Sequence, residues 1–249
     1  MREFKIFRSH GKQFIPDLRN AELPGIFRGR PVISEDIVPD EASKLSKICP
    51  VGAIQAAPFS LDLGRCVFCG ECEFFLPGKV CFTNDYRLAA NRREDLIIKA
   101  GENQSLRLFE PAVNPEIRKV FKHSLKLRQV SAGGDNSCEM ELNAAGNVNF
   151  DMGRYGIQFV ASPRHADGMV LTGPLTRNMS EAIKLTWEAI PSPKILILVG
   201  SDAISGGLFL ESQAINRQFL EDHPADLYLP GNPTHPLTFI NGIMDLLGI

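Results

Sequence analysis

The sequence predicts a mixed α/β chain in two parts: a small α+β module built around cysteines, then a doubly wound parallel sheet. Three observations predict it. Cys66-Val67-Phe68-Cys69-Gly70-Glu71-Cys72 sets three thiols at i, i+3 and i+6, with a fourth upstream at Cys49. From Lys126 onward, short apolar runs alternate with segments of helical periodicity. One run, Ile195-Leu196-Ile197-Leu198-Val199, is apolar at every position. That is expected of a strand covered on both faces.

Composition bounds the reading. The chain has 249 residues, enough for two domains, with 44% hydrophobic and 22% charged residues. A formal charge of −2 leaves no global basic field for nucleic acid. No run approaches the roughly 18 apolar residues of a membrane-spanning helix. Met1-Arg2-Glu3-Phe4-Lys5 lacks the apolar stretch of a secretory signal. Of the six cysteines, five fall between positions 49 and 81. Such crowding without a signal peptide favours metal or cluster ligation over disulfides, and a reducing cytoplasm as the compartment.

Residues 1–45 scatter Phe, Pro and charge without sustained periodicity. They are expected to form an extended, polar arm that docks on something larger and ends in a strand near Phe27 to Ile33. The acidic run Glu35 to Glu41 reads as a solvated loop and helix start. Residues 46–100 hold a ferredoxin-like signature. In the bacterial pattern C-x2-C-x2-C-x3-C-P, the fourth Cys of each run ligates the other cluster. Applied here, Cys66, Cys69 and Cys72 borrow Cys49. The other run lacks its three thiols, and its remaining partner position is Leu76, before Pro77. One site keeps four ligands and the other has lost four, as selective loss of a single cluster would leave them. Residues 1–45 thus include the remnant of the first cluster motif. The expected cofactor is one [4Fe–4S] cluster on Cys49, Cys66, Cys69 and Cys72. Zinc is the competing occupant, although it favours paired C-x2-C knuckles. Cys81 lies outside the pattern and reads as a packed free thiol.

Asp85 to Ile97 reads as a short strand and a turn. Here the sequence resembles the ferredoxin-type subunits of membrane-bound [NiFe] hydrogenases and respiratory complex I, where an Arg-Arg-Glu-Asp-Leu segment follows the cluster loop. Residues 101–125, including Gly101, Glu102, Asn103, Pro111 and Pro115, read as a linker ending in an amphipathic turn.

In residues 126–249, strands are expected at Leu127–Ser131, Gly156–Val160, Gly168–Thr172, Ile195–Val199 and Asp226–Leu229. Helices are expected at Cys138–Ala145, capped by Asn136 or Ser137, at Met179–Ile190 with Trp187 on the apolar face, at about Glu211–Leu220, and at Pro236–Leu247. The alternation argues a doubly wound, flavodoxin-like α/β domain. In such sheets chemistry gathers at the loops beyond the strand ends, here 132–137, 173–176, 200–207 and 230–236.

Those loops resemble a family. Gly133-Gly134-Asp135-Asn136-Ser137-Cys138-Glu139, Ser162 to Asp167, Gly173-Pro174-Leu175-Thr176-Arg177, Gly200 to Gly207 and Leu229-Pro230-Gly231-Asn232-Pro233 occur in its order. The chain is similar there to the small subunit of group 4 energy-converting [NiFe] hydrogenases, including formate hydrogenlyase, and to the 20 kDa subunit of complex I. The resemblance covers about half the chain and implies a fusion of two subunits that are usually separate. The family holds a proximal [4Fe–4S] cluster on four cysteines of these loops. At the matching positions this chain has Asp135, Cys138, Asp202 and Asn232. One thiol, two carboxylates and an amide make a poor cradle for a soft cluster, which implies a lost proximal site. An empty polar scaffold, a harder ion such as Mg²⁺ or Fe²⁺, and an atypical cluster are its three readings.

Other signals carry less. Gly200 to Gly207 follows an apolar strand but has neither G-x-G-x-x-G spacing nor a P-loop lysine. Arg164 and His165 suit proton or quinone chemistry or a hydrogen-bonded structural pair, and His235 reads as a loop residue. The resemblance implies a non-catalytic electron-transfer subunit of a membrane-associated hydrogenase-like or complex I-like oxidoreductase. Its expected partners are a hydrogenase-like large subunit and membrane subunits. Its expected place is cytoplasmic, peripheral to the membrane through those partners. The alternative is a structural or redox-sensing interaction subunit that passes no electrons onward.

Overall fold

The strands expected from the apolar runs pair as one parallel sheet in the computed structural model, which describes residues 2–11, 13–102 and 104–249. The linker residue Asn103 and the arm residues Met1 and Lys12 lie outside the described residues. In chain order, the N-terminal half contains α1 (Arg2–His10), β1 (Pro31–Ile33), α2 (Pro39–Ile48), β2 (Ile54–Ala56), β3 (Phe59–Asp62), α3 (Glu71–Phe75), β4 (Val80–Phe82) and β5 (Ile97–Lys99). The rest contains α4 (Pro115–Phe121), β6 (Leu125–Ser131), α5 (Ser137–Ala145), β7 (Ile157–Phe159), β8 (Gly168–Thr172), α6 (Ser180–Ala189), β9 (Ile195–Val199), α7 (Ser201–Ser205), α8 (Gln218–Asp222), β10 (Leu227–Leu229) and α9 (Pro236–Leu247).

Among the described residues the parallel sheet runs β7-β6-β8-β9-β10. Counted within this unit the order is 2-1-3-4-5, that of flavodoxin-like folds. Period-two alternation divides its side chains. Leu127, Val170, Ile197 and Leu229 join the core under α9, whereas Val130, Leu171 and Leu198 face the opposite side. That second core is continuous with Leu45, Leu61, Leu96 and Ile98 of the cysteine module. The module itself holds an antiparallel β2-β3-β5 sheet and a β1-β4 pair.

Several expectations change. The arm begins with α1 and is not wholly extended. What it docks on is its own chain. Leu18 is fully buried beside α9, and its carbonyl accepts from Tyr86 Oη (3.0 Å) and Asn241 Nδ2 (2.9 Å). Arg19 pairs with Asp245. The strand expected after Asp85 shrinks to one antiparallel bridge, Ala90 to Tyr228, at the sheet edge. The turn after it is a 3-10 turn, Arg93–Leu96. The helix expected at Glu211–Leu220 is only α8. Ser212 and Asn216 cap the amides of Ala214 and Gln218, and the backbone of Ala214 and Asn216 bonds to Arg177 and Leu175. Such local and long-range bonds compete with helix formation. The loop 200–207 contains a helical turn, α7.

Gly242 shows how tightly these parts meet. A Cβ there would lie 2.5 Å from Leu229 Cδ2 and 2.8 Å from Ala89 Cβ. Gly242→Val should therefore lower stability by about 1–3 kcal/mol, the usual cost of overpacking. Urea unfolding followed by Trp187 fluorescence checks it. A change below about 0.5 kcal/mol would mean that residues 86–90 are not packed between sheet and helix.

Candidate functional site

Two loops bring the cysteines together. The first follows α2, whose last turn is capped by Cys49. The Cys49 Sγ accepts from the Ala53 amide at 3.2 Å across a turn that needs Gly52 at φ 59°. The second runs from Gly64 to Cys72. Asp62 organises it, accepting from the Gly64 amide through Oδ1 and from the Cys66 amide through its carbonyl. Arg93 clamps the Asp62 carboxylate with two bonds of 2.8 and 2.6 Å. Phe68 (φ 53°) and Gly70 (φ 83°) take left-handed conformations, which fold the chain back on itself.

Cys49, Cys66, Cys69 and Cys72 line one cavity, with about 320 Å³ of empty space including its mouth; Ile54 and Phe82 supply apolar wall. Cys66 and Cys72 are buried and Cys69 is exposed. The amides of Ala53 and Phe68 point at Cys49 and Cys66 sulfurs (3.2 and 3.3 Å), and the Glu73 amide at Cys72. Burial pushes the Cys66 thiol up to about 12 and the Cys72 thiol up to about 11, and the neighbouring thiols push the same way. Buried thiolates therefore need a cationic centre to exist here, and loading one releases protons. Cys81, on β4, does not line the cavity.

The strand-end loops form a second locality, over the sheet. Gly200 leaves room for Cys138 Sγ, since a Cβ there would come within 2.6 Å of it, and Gly207 does the same for Asp202. Burial raises the Cys138 thiol to about 11, countered by the Thr234 amide. Asp202 is also raised, by burial first and then by Asp135. Asp135 is lowered because its Oδ1 accepts from the hydroxyl and amide of Ser137 (2.6 and 2.9 Å). It, not Asn136, supplies the side-chain oxygen at the start of α5; Asn136 makes no capping bond. The expected quartet is thus brought together only in part. Asp135, Cys138 and Asp202 feel one another's charge, while Asn232 is exposed and lines a different pocket. Among the described residues, no three His, Cys, Asp or Glu side chains stand where they could hold a single ion.

That different pocket lies between the two localities, bounded by Phe68 of the cysteine loop and by Pro230–Pro233. It exposes residues that the sequence left unmarked. Arg28 Nη1 donates to the Phe68 carbonyl at 2.8 Å. His235 is not merely a loop residue: its Nδ1 accepts from the Leu237 amide and caps α9. The Thr-His-Pro at the start of an apolar helix was the available signal for this cap. Nothing in the spacing around Arg28 marked it. Arg164 and His165 stand exposed on a 3-10 turn, not as a buried structural pair.

Comparison with known proteins matches residues 136–246 to the family described as NADH ubiquinone oxidoreductase, 20 Kd subunit. A membrane-bound hydrogenase subunit of Pyrococcus furiosus is 37% identical over 115 residues, 46% of this chain and 69% of the relative. Formate hydrogenlyase subunit 7 of Escherichia coli is 36% identical over 138 residues, 55% of this chain and 54% of the relative. A subunit of the F(420)H(2) dehydrogenase of Methanosarcina mazei is 40% identical over 109 residues, 44% of this chain and 59% of the relative. The chain thus spans between about half and about two thirds of these relatives' lengths. The family match does not reach the cysteine loop.

The cap makes a pH signature. Burial pushes His235 down to about 4, against about 6.5 in an unfolded chain. The folded state therefore favours the neutral ring. That stability is fully present above the unfolded value and is lost as pH falls towards 4. Between about pH 7.5 and about pH 5 the loss should be about 2 kcal/mol. Urea unfolding of the wild type against His235→Asn, which keeps a capping oxygen, isolates it; equal pH slopes would refute it.

Proposed function

The chain belongs to the NADH ubiquinone oxidoreductase 20 kDa subunit family, and on that premise we propose that it is an electron-transfer subunit of a membrane-associated hydrogenase-like or complex I-like oxidoreductase. The observation that carries the proposal is the cavity shared by Cys49, Cys66, Cys69 and Cys72, with backbone amides aimed at three of the sulfurs.

The donor set fits a [4Fe–4S] cluster. Four thiols suit soft iron–sulfur chemistry, and N–H···S bonds are a usual means of stabilising reduced clusters. Zinc would draw four donors to about 2.0–2.3 Å of one point. The C-x2-C-x2-C spacing is that of cluster loops and not of the paired C-x2-C knuckles that zinc favours. When bound, the cluster supplies one-electron transfer. The residues do the rest. Asp62 and Arg93 hold the loop, Ile54 and Phe82 supply apolar wall on its inner side, and Cys69 stands exposed.

The strand-end loops support a lost proximal site. Asp135 is turned into its own Ser137, Asn232 is exposed, and one thiol remains. This donor set does not fit a second cluster, so the ferredoxin-like module is the chain's redox centre. The relatives are subunits by name, and this chain is proposed to sit likewise between a hydrogenase-like large subunit and membrane subunits, on the cytoplasmic side. Among the described residues no helix is long and apolar enough to cross a membrane. Attachment is therefore assigned to partners.

Anaerobically purified protein should carry about four iron per chain and a reversible low-potential electron paramagnetic resonance signal. Cys69→Ser should lose the cluster and Cys81→Ser should keep it. Stoichiometric zinc without visible absorbance would overturn the cluster. About eight iron per chain would overturn the lost second site.

A further inference from the structure

The pocket between the cysteine loop and the Pro230–Pro233 turn encloses about 210 Å³. That is less than the roughly 300 Å³ at which drug-sized ligand sites begin, and it suits a small ligand. Its walls are apolar, with the rings of Phe27, Phe68 and Pro230 among them. Its polar lining consists mainly of donors. Arg28 spends Nη1 on the Phe68 carbonyl and makes no salt bridge among the described residues, which leaves Nε and Nη2 available. His235 uses Nδ1 as the acceptor of its capping bond, so its ring proton sits on Nε2, with no partner among the described residues. The Asn232 amide is exposed and makes no side-chain hydrogen bond among the described residues. The Thr238 hydroxyl is already donated to the Tyr86 carbonyl. No Asp or Glu lines the pocket.

Donors without a carboxylate, on an apolar floor, select one ligand chemistry. An oxyanion satisfies the guanidinium through charge-assisted bonds, and a cation finds no counter-charge. The rings require an apolar body behind the oxyanion. We propose that this pocket binds a small organic carboxylate with a flat apolar body, its carboxylate on Arg28 and within reach of Asn232 and His235. The inference stands on pocket geometry and does not depend on which cofactor the cysteines hold.

The site is also placed to be felt. Arg28 joins the pocket to the cysteine loop through Phe68, and its guanidinium lies against Gly70, where a Cβ would come within 3.1 Å of Nε. A carboxylate there sits on the one cation the pocket offers to that loop.

Benzoate is the probe, in ligand-observed NMR titration of the anaerobically purified chain. Saturable one-to-one binding in about the millimolar range is expected for a ligand of this size. Benzamide, its neutral isostere, should not bind. Arg28→Gln should weaken benzoate by about tenfold or more, the scale of one charge-assisted contact. His235→Asn should weaken it too while retaining the α9 cap; circular dichroism verifies the fold of both variants. If Arg28→Gln does not fold, His235→Asn alone decides. Absence of saturable benzoate binding, equal binding of benzamide, or wild-type affinity in the deciding variant overturns the proposal. Inorganic phosphate binding as tightly as benzoate would overturn the apolar body.

Discussion

A helix that is apolar nearly all round has to be enclosed, and α9 is that helix. Every residue of α9 except Asp245 is buried. Leu237, Phe239, Ile240, Ile243, Met244, Leu246 and Leu247 each gain up to about 1.5–3 kcal/mol by leaving water, an upper bound since the unfolded chain already hides some of that surface. One face of a five-stranded sheet cannot cover such a helix on all sides. The remainder is closed by α4, α5, the arm around Leu18, and Tyr86 and Ala89. The polar residues of α9 fix who closes it. Thr238 donates to the Tyr86 carbonyl, and Asn241 donates to the Leu18 carbonyl. Both halves of the chain are thereby tied to one element, and the cysteine module cannot drift away from the sheet.

That enclosure sets the chemistry. With residues 86–90 held against β10 and α9, the cysteine loop comes to lie beside the strand-end loops. Gly64 has no room for a Cβ, being pressed between Arg93 and Ile204 of α7 (2.7 and 2.8 Å). Arg217 spans the same seam, donating to the carbonyls of Asp202, Ala203 and Ile204, and burial pushes it down to about 10. The Asp62–Arg93 pair is half-exposed and adds little stability alone. Its value is positional: it fixes the carboxylate that accepts from the Gly64 amide, while the Asp62 carbonyl accepts from the Cys66 amide.

Much of this was legible in residue order. Gly168–Thr172, Ile195–Val199 and Pro236–Leu247 coincide with β8, β9 and α9, because long apolar runs with clear period leave little alternative. The thiols of Cys49, Cys66, Cys69 and Cys72 line one cavity. What the sequence concealed depends on long-range partners. Glu211–Leu220 has helical composition, yet its backbone is recruited by Leu175 and Arg177. The arm looked polar because its apolar anchors, Leu18 with the partly buried Ile15, Leu23 and Phe27, are scattered without period. Asn232 was grouped with Asp135, Asp202 and Cys138 by motif order; its neighbours Gly231 and Thr234 lie against Ser201 and Cys138, while Asn232 itself is exposed. Arg28 carried no signal, since only the folded chain brings it to Phe68.

The two glycines of the strand-end loops bear on the proposed loss of the proximal site. Gly200 (φ 92°) and Gly207 (φ 52°) adopt conformations that L side chains rarely take, and each abuts a side chain of the second locality, Cys138 and Asp202. Under the proposed loss, a carboxylate in place of a thiol would change what the loop can hold without asking the backbone to move. Several bonds of these loops are local. Asp135 starts α5, the Thr234 hydroxyl bonds to the Leu229 carbonyl, and His235 starts α9. Each of these bonds closes on the loop's own elements. By contrast, Cys66 and Cys72 of the N-terminal cavity are buried among apolar wall and backbone amides, the setting in which the proposed cluster would hold them as thiolates.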